Sequence, residues 1–170
     1  MIEAGAAAES WIHVGAGKIL KGYALQMLVD KHGAIPYSEA WQGTANLSPK
    51  VDDAQSVYAA VEGLYDEAIA DLNKTAIGAP GVDIFYGSDK SKWITLANTL
   101  KFRLALNEGN SGKIAAALSA GVIDEKSEDW VFQYGSNRQN PDSRHPWYGG
   151  AYESFSGPYH CLLYTSPSPR

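Results

Sequence analysis

The chain has almost no cysteine, no long apolar run and no excess of basic charge, and each lack removes a class of function. Its single cysteine, Cys161, lies in the closing stretch CLLYTSPSPR at 161–170. That stretch resembles the translated end of a transposase adapter used in sequencing libraries, so 161–170 is read as a non-native tail and kept out of fold reasoning. The remainder has no thiol, hence no disulfide framework and no thiolate chemistry. With Arg170 set aside, 13 basic side chains face 19 acidic ones. Nucleic-acid binding draws most of its affinity from neutralised phosphates, and an acidic chain without a Lys/Arg cluster is a poor candidate for it. No apolar run is long enough to span a bilayer, and no cationic and apolar leader opens the sequence.

Catalytic signatures are missing too. GAGK at 15–18 is no phosphate loop: Ile12 stands where the first glycine should be, and Ile19 where Ser or Thr should hold magnesium. His13, His32, His145 and His160 are scattered without ligand spacing, so no metal is expected. Glu125, Glu128 and Asp129 crowd into one turn, whereas a glycosidase holds its carboxylates across a cleft. The expectation is a protein that is not an enzyme and needs no cofactor.

What is present is a globular composition, with 45% hydrophobic and 11% aromatic residues, arranged mainly in helices. A first helix is expected over about 7–31. Ile12, Ala16, Ile19, Tyr23 and Met27 recur at three- and four-residue steps, with Leu20, Ala24 and Leu28 as a second stripe. Gly15, Gly17 and Gly22 lower its propensity but permit close approach of a neighbour. Gly33 and Pro36 stop it. A second helix over about 53–72, capped by Asp52 or Asp53, carries Val57, Val61, Leu64, Ala68 and Leu72. Within it YDEAIADLNKTAIGAP at 65–80 resembles the second helix of a tetratricopeptide (TPR) unit.

A third helix, about 89–106, has Trp93, Leu96, Ala97, Leu100 and Leu104 on one face, with Lys101 and Arg103 off it as solvated cations. A short helix over 112–120 closes at Gly121. DWVFQY at 129–134 alternates as a half-buried strand would, with Trp130, Phe132 and Tyr134 on one side. From Gly135 to Pro158 no period survives.

Two blocks stand in fixed order, GAIPYSEAWQG at 33–43 and DIFYGSDKSKWITLANTLKFRLALN at 83–107. Together they resemble the SusD/RagB family of nutrient-binding outer-membrane lipoproteins. The match rests on Pro36, Tyr37, Ser38, Glu39 and Ala40, then on Tyr86, Gly87, Asp89, Lys92, Trp93, Asn98, Lys101, Arg103 and Leu104. The resemblance implies a mainly α fold, a TPR-like helix-pair (αα superhelix) core with long irregular ligand-side loops, here incomplete. Residues 1–160 would form a partial SusD-like helical domain, with Met1 read as internal and the frame cut short after His160.

The resemblance further implies glycan or other nutrient binding at the cell surface. The partner would be a SusC-like TonB-dependent outer-membrane transporter. The signal peptide and lipid-anchor cysteine would lie upstream of Met1, and that anchor would be the only membrane contact.

Sugar recognition wants flat aromatic faces and planar amide or guanidinium groups. In the 135–158 region Trp147, Tyr148 and Tyr152 offer the first, and Asn137, Gln139 and Arg144 the second. The other role for these rings is packing against further chain, and one sequence leaves both open. Trp41, after PYSEA, is a second candidate platform, with packing beside the helix ends as its alternative. Tyr37, Ser38 and Glu39 read as turn and cap residues. The rival function is a helical-repeat scaffold that binds a protein and no sugar; glycoside hydrolysis is a distant third.

Overall fold

The computed structural model describes residues 2–75, 82–138 and 143–148. The chain divides into two compact units, Met1–Trp130 and Val131–Arg170, each considered by itself.

Among the described residues of the first unit are five α-helices: α1 (Ile2–Ala7), α2 (Trp11–His32), α3 (Ala54–Leu72), α4 (Lys90–Glu108) and α5 (Ser111–Ala120). The expected helix from Ala7 is broken at its start. Glu9 takes a positive φ of 50° and Ser10 N donates to Gly5 O at 2.8 Å, which ends α1 and lets a new helix begin at Trp11. At the far end Gly33 adopts φ 72° and donates its N–H to Val29 O, as a stop residue should.

Helices α3 and α4 start on carboxylate caps. Asp53 accepts from Ser56 N, and Asp89 from Ser91 N and Lys92 N; both also meet the positive end of a helix dipole. Gly109, left-handed at φ 67° and ψ 24°, turns the chain from α4 into α5.

α2, α3 and α4 run antiparallel in succession. Gly15 meets Leu72, Gly22 meets Tyr65, and Tyr58 donates to Asp30; then Lys101 pairs with Asp66 at 2.5 Å and Asn107 bonds Tyr58 at 3.3 Å. This is the expected helix-pair arrangement. Its core comprises Ile19, Leu25 and Val29 of α2, Val57, Val61, Tyr65, Ala68 and Leu72 of α3, and Trp93, Leu96, Ala97, Leu100 and Leu104 of α4. Burying each large side chain contributes about 1.5–3 kcal/mol.

The buried face of α2 differs from the expected stripes: Leu28 is exposed, while Gly15, Gly17, Gly22 and Gln26 are buried. At Gly15 and Gly22 α3 fills the space the missing side chains leave. A Cβ on Gly15 would stand 2.5 Å from Leu72 Cγ, and one on Gly22 would stand 2.6 Å from Tyr65 Cε1.

The strand expected over 129–134 does not form. Trp130 instead packs on Tyr23 and Phe85, with ring centroids 5.2 and 5.4 Å away. A strand needs a partner ladder, and among the described residues the one bridge is the isolated pair Ile35 and Asp52.

Candidate ligand-binding site

The second motif block is a knot around the start of α4. Asp83 accepts from Phe85 N at 2.9 Å, Ser88 N at 3.0 Å and Trp93 Nε1 at 2.7 Å. Tyr86 OH donates to Glu128 O at 2.9 Å and Lys92 Nζ to Ser127 O at 2.7 Å. Asn98, buried, donates to Ala120 O at 3.1 Å, so it satisfies an end carbonyl of α5. Burial, then the charges of Asp129, Glu128 and Asp83, pushes the Tyr86 hydroxyl up to about 12, which keeps it a donor. Arg103 reaches Asp30 at 3.3 Å and ties α4 to α2. These side chains hold helices and loops together.

The first block builds something different. The chain leaves α2, and Ile35 and Asp52 exchange backbone hydrogen bonds of 3.1 and 3.0 Å that close the neck of a loop. The Asp52 carboxylate crosses that neck and accepts from Tyr37 N at 3.0 Å, Ser38 N at 2.7 Å and Ser38 Oγ at 2.9 Å. The hydrogen bond from Ser38 N leads in holding Asp52 below its ordinary pKa. Across the loop, Glu39 accepts from Asn46 Nδ2 at 3.2 Å and Lys50 N at 3.1 Å. Ser38 and Glu39 are therefore the turn residues the sequence suggests. They brace the loop on which Trp41 stands 67% exposed. One of its faces meets the Lys21 ammonium 5.0 Å from the ring centroid, and the same ammonium lies 5.7 Å from the centroid of Tyr37. Burial, and then the charges of Glu67 and Asp52, raise the Tyr37 pKa.

In the second unit a short turn carries the other candidates. Gly135 N donates to Ser143 O at 2.8 Å, and Ser143 N to Asn137 O at 3.1 Å, so Asn137 enters through its backbone. Trp147 and Tyr148 are 65% and 49% exposed, and Tyr148 N donates back to His145 O at 2.9 Å. Arg144 and Tyr148 line a hollow of about 380 Å³ together with Tyr134, Gly135, Ser136, Arg138 and His145. The rings of Tyr134 and His145 lie 4.6 Å apart and those of His145 and Trp147 6.2 Å apart. Gln139 and Tyr152 lie outside the described residues.

Arg144, Trp147 and Tyr148 thus share one turn of the second unit, and Trp41 lies, separately, on the neck-closed loop of the first. Lys21, Tyr134 and His145 were not singled out as ligand contacts from sequence. Lys21 lies many positions from Trp41, Tyr134 read as a strand residue, and His145 lacked any metal spacing.

Among the described residues no helix is long and apolar enough to cross a membrane, and no group of three or more His, Asp or Glu gathers as a metal site.

Antiparallel helix pairs, with a braced loop after α2, define a TPR-like scaffold. The chain belongs to the SusD-like family: residues 1–155 match its model, described as "Starch-binding associating with outer membrane". Solved structures agree. The chain is similar to a chitin-binding protein at 31% identity and a TM-score of 0.63, over 72% of this chain and 27% of that one. It is similar to a SusD-like protein of Bacteroides thetaiotaomicron at 28% identity and a TM-score of 0.60, over 69% and 26%. A SusD/RagB family protein of the same organism matches at 25% identity and a TM-score of 0.69, over 86% and 31%. The chain therefore spans about a quarter to a third of the length of these structures. No curated protein matches it.

Proposed function

We propose that this protein binds a glycan or related nutrient at the cell surface and passes it to a SusC-like TonB-dependent outer-membrane transporter. Attachment to the outer membrane would be through a lipid anchor. The carrying observation is Trp41, two-thirds exposed on a loop whose neck is closed by Asp52. A ring held in place before the ligand arrives loses little freedom on binding, so modest contacts suffice. Trp147 and Tyr148, exposed beside the hollow lined by Arg144, are a second platform of the same kind. Gln139 and Tyr152 belong with it by sequence. The descriptions of the relatives, starch-binding and chitin-binding, support a saccharide ligand. Binding makes and breaks no bond, and the protein acts without catalysis.

The exposed leucines of the helices, Leu28, Leu106 and Leu118, suit a protein neighbour. The transporter would fill that role, and the helical-scaffold alternative needs such a neighbour as well. Affinity electrophoresis through gels containing starch, chitosan or pectin separates the two. The chain is expected to be retarded by at least one polysaccharide, with retardation weakened in Trp41→Ala, Trp147→Ala and Tyr148→Ala. Unchanged retardation in all three would remove the site assignment, and no retardation by any glycan would favour the scaffold.

A further inference from the structure

We propose that the Trp41 platform selects acidic glycans, chains whose sugars carry a carboxylate or a sulfate, and that Lys21 is the residue responsible. The inference rests on the glycan-binding reading and narrows its substrate class.

Lys21 is singled out by what surrounds it. One turn earlier on α2, Lys18 is neutralised by Glu67 at 2.8 Å and Asp71 at 2.7 Å. Lys101 is held by Asp66 at 2.5 Å, and Lys113 by Glu62 and Glu108 at 2.7 and 2.9 Å. Lys21 makes no ion pair among the described residues; its ammonium meets only the faces of Tyr37 and Trp41. Among the described residues none takes a hydrogen bond from its ammonium, which leaves the N–H donors for a ligand.

The carboxylates around the platform are committed elsewhere. Glu39 receives Asn46 Nδ2 and Lys50 N. Asp52 receives Tyr37 N, Ser38 N and Ser38 Oγ, and Glu67 is bound to Lys18. Each carboxylate already receives a donor from the fold, whereas the ammonium sits against an exposed indole.

Geometry then divides the labour. With the ammonium on one face of Trp41, the other face is open to the C–H face of a pyranose. A carboxylate or sulfate projecting past the ring edge meets the cation and forms a charge-assisted hydrogen bond. The chain carries a formal charge of −5, so an anionic polymer is repelled by the molecule as a whole and needs such a local cation to bind. A neutral glycan would use the indole alone.

The test is calorimetric titration of the full chain with three probes: a neutral malto-oligosaccharide, an oligogalacturonate and a sulfated oligosaccharide. Wild type is compared with Lys21→Gln, Lys21→Arg and Trp41→Ala. Gln has nearly the helix propensity of Lys, and an unchanged thermal melt verifies that the fold is kept. Expected is tighter binding of one or both acidic probes than of the neutral one. Lys21→Gln should then lose about three- to tenfold in acidic affinity and leave neutral affinity alone. Lys21→Arg should keep the preference, and Trp41→Ala should weaken every probe that binds. Which acidic probe binds decides between carboxylate and sulfate. If Lys21→Gln affects acidic and neutral probes alike, or neither, the selectivity is refuted while the glycan-binding reading stands. If no probe binds while a polysaccharide gel still retards the chain, the selectivity alone falls; if no polysaccharide retards it either, both fall.

Discussion

Asp83 and Trp93 are joined by a 2.7 Å hydrogen bond from the indole N–H to the carboxylate, and this contact locks the loop before α4 onto the buried face of that helix. The same carboxylate also collects the backbone N–H groups of Phe85 and Ser88, so one side chain organises most of the DIFYGSD turn. Burial alone would raise its pKa, but the hydrogen bonds from Phe85, Trp93, Ser88 and Tyr86 outweigh that and leave it below the ordinary carboxylate value.

Asp83→Asn should therefore destabilise the first unit by about 1–3 kcal/mol at neutral pH. A depressed folded-state pKa gives stability that is fully present above the unfolded value of about 3.9 and is lost as pH falls through the folded value. Urea midpoints at pH 6 and pH 3 should show the gap between wild type and Asp83→Asn shrinking at the lower pH. An equal gap at both would mean that the charge is not what matters.

Gly22→Ala places a Cβ 2.6 Å from Tyr65 Cε1. Tyr65 is fully buried and donates to Gln26 Oε1 at 3.1 Å, so the ring cannot retreat without losing that bond. The expected cost is about 1–3 kcal/mol. Gly63→Ala is the control: its added Cβ meets nothing within 4 Å, and the helix should gain about 0.5–1 kcal/mol. Thermal melts of the two variants should move in opposite directions.

These cases show what the sequence could and could not convey. The α4 face was legible to the residue, because Trp93, Leu96, Ala97, Leu100 and Leu104 are regularly spaced and all buried. The α2 face was legible only in part. Ile19 is buried as its stripe suggested, and Gly15 and Gly22 do allow a close neighbour. Leu28, however, is exposed and Gln26 buried, because it is the side chains of α3 that decide which face is covered. Alternation at Trp130, Phe132 and Tyr134 suggested a strand, but periodicity says nothing about whether a ladder partner exists. The two motif blocks identified the family, yet their residues turned out to serve different ends. Those of the second block tie α4 to its neighbours, and those of the first pin the loop that displays Trp41. That Lys21 lies under Trp41 depends on how the loop folds back along α2, which no local pattern encodes.

Nuclear magnetic resonance of the indole N–H groups tests the central claim most directly, because the five tryptophans report separately. Trp93 is 1% exposed and bonded to Asp83, and Trp130 is packed between Tyr23 and Phe85. Titrating in a polysaccharide fragment that retards the chain should shift the resonances of Trp41 and Trp147 and leave those of Trp93 and Trp130 in place. If Trp41 and Trp147 stay fixed while the fragment binds, the exposed aromatics are not the site and the account is wrong.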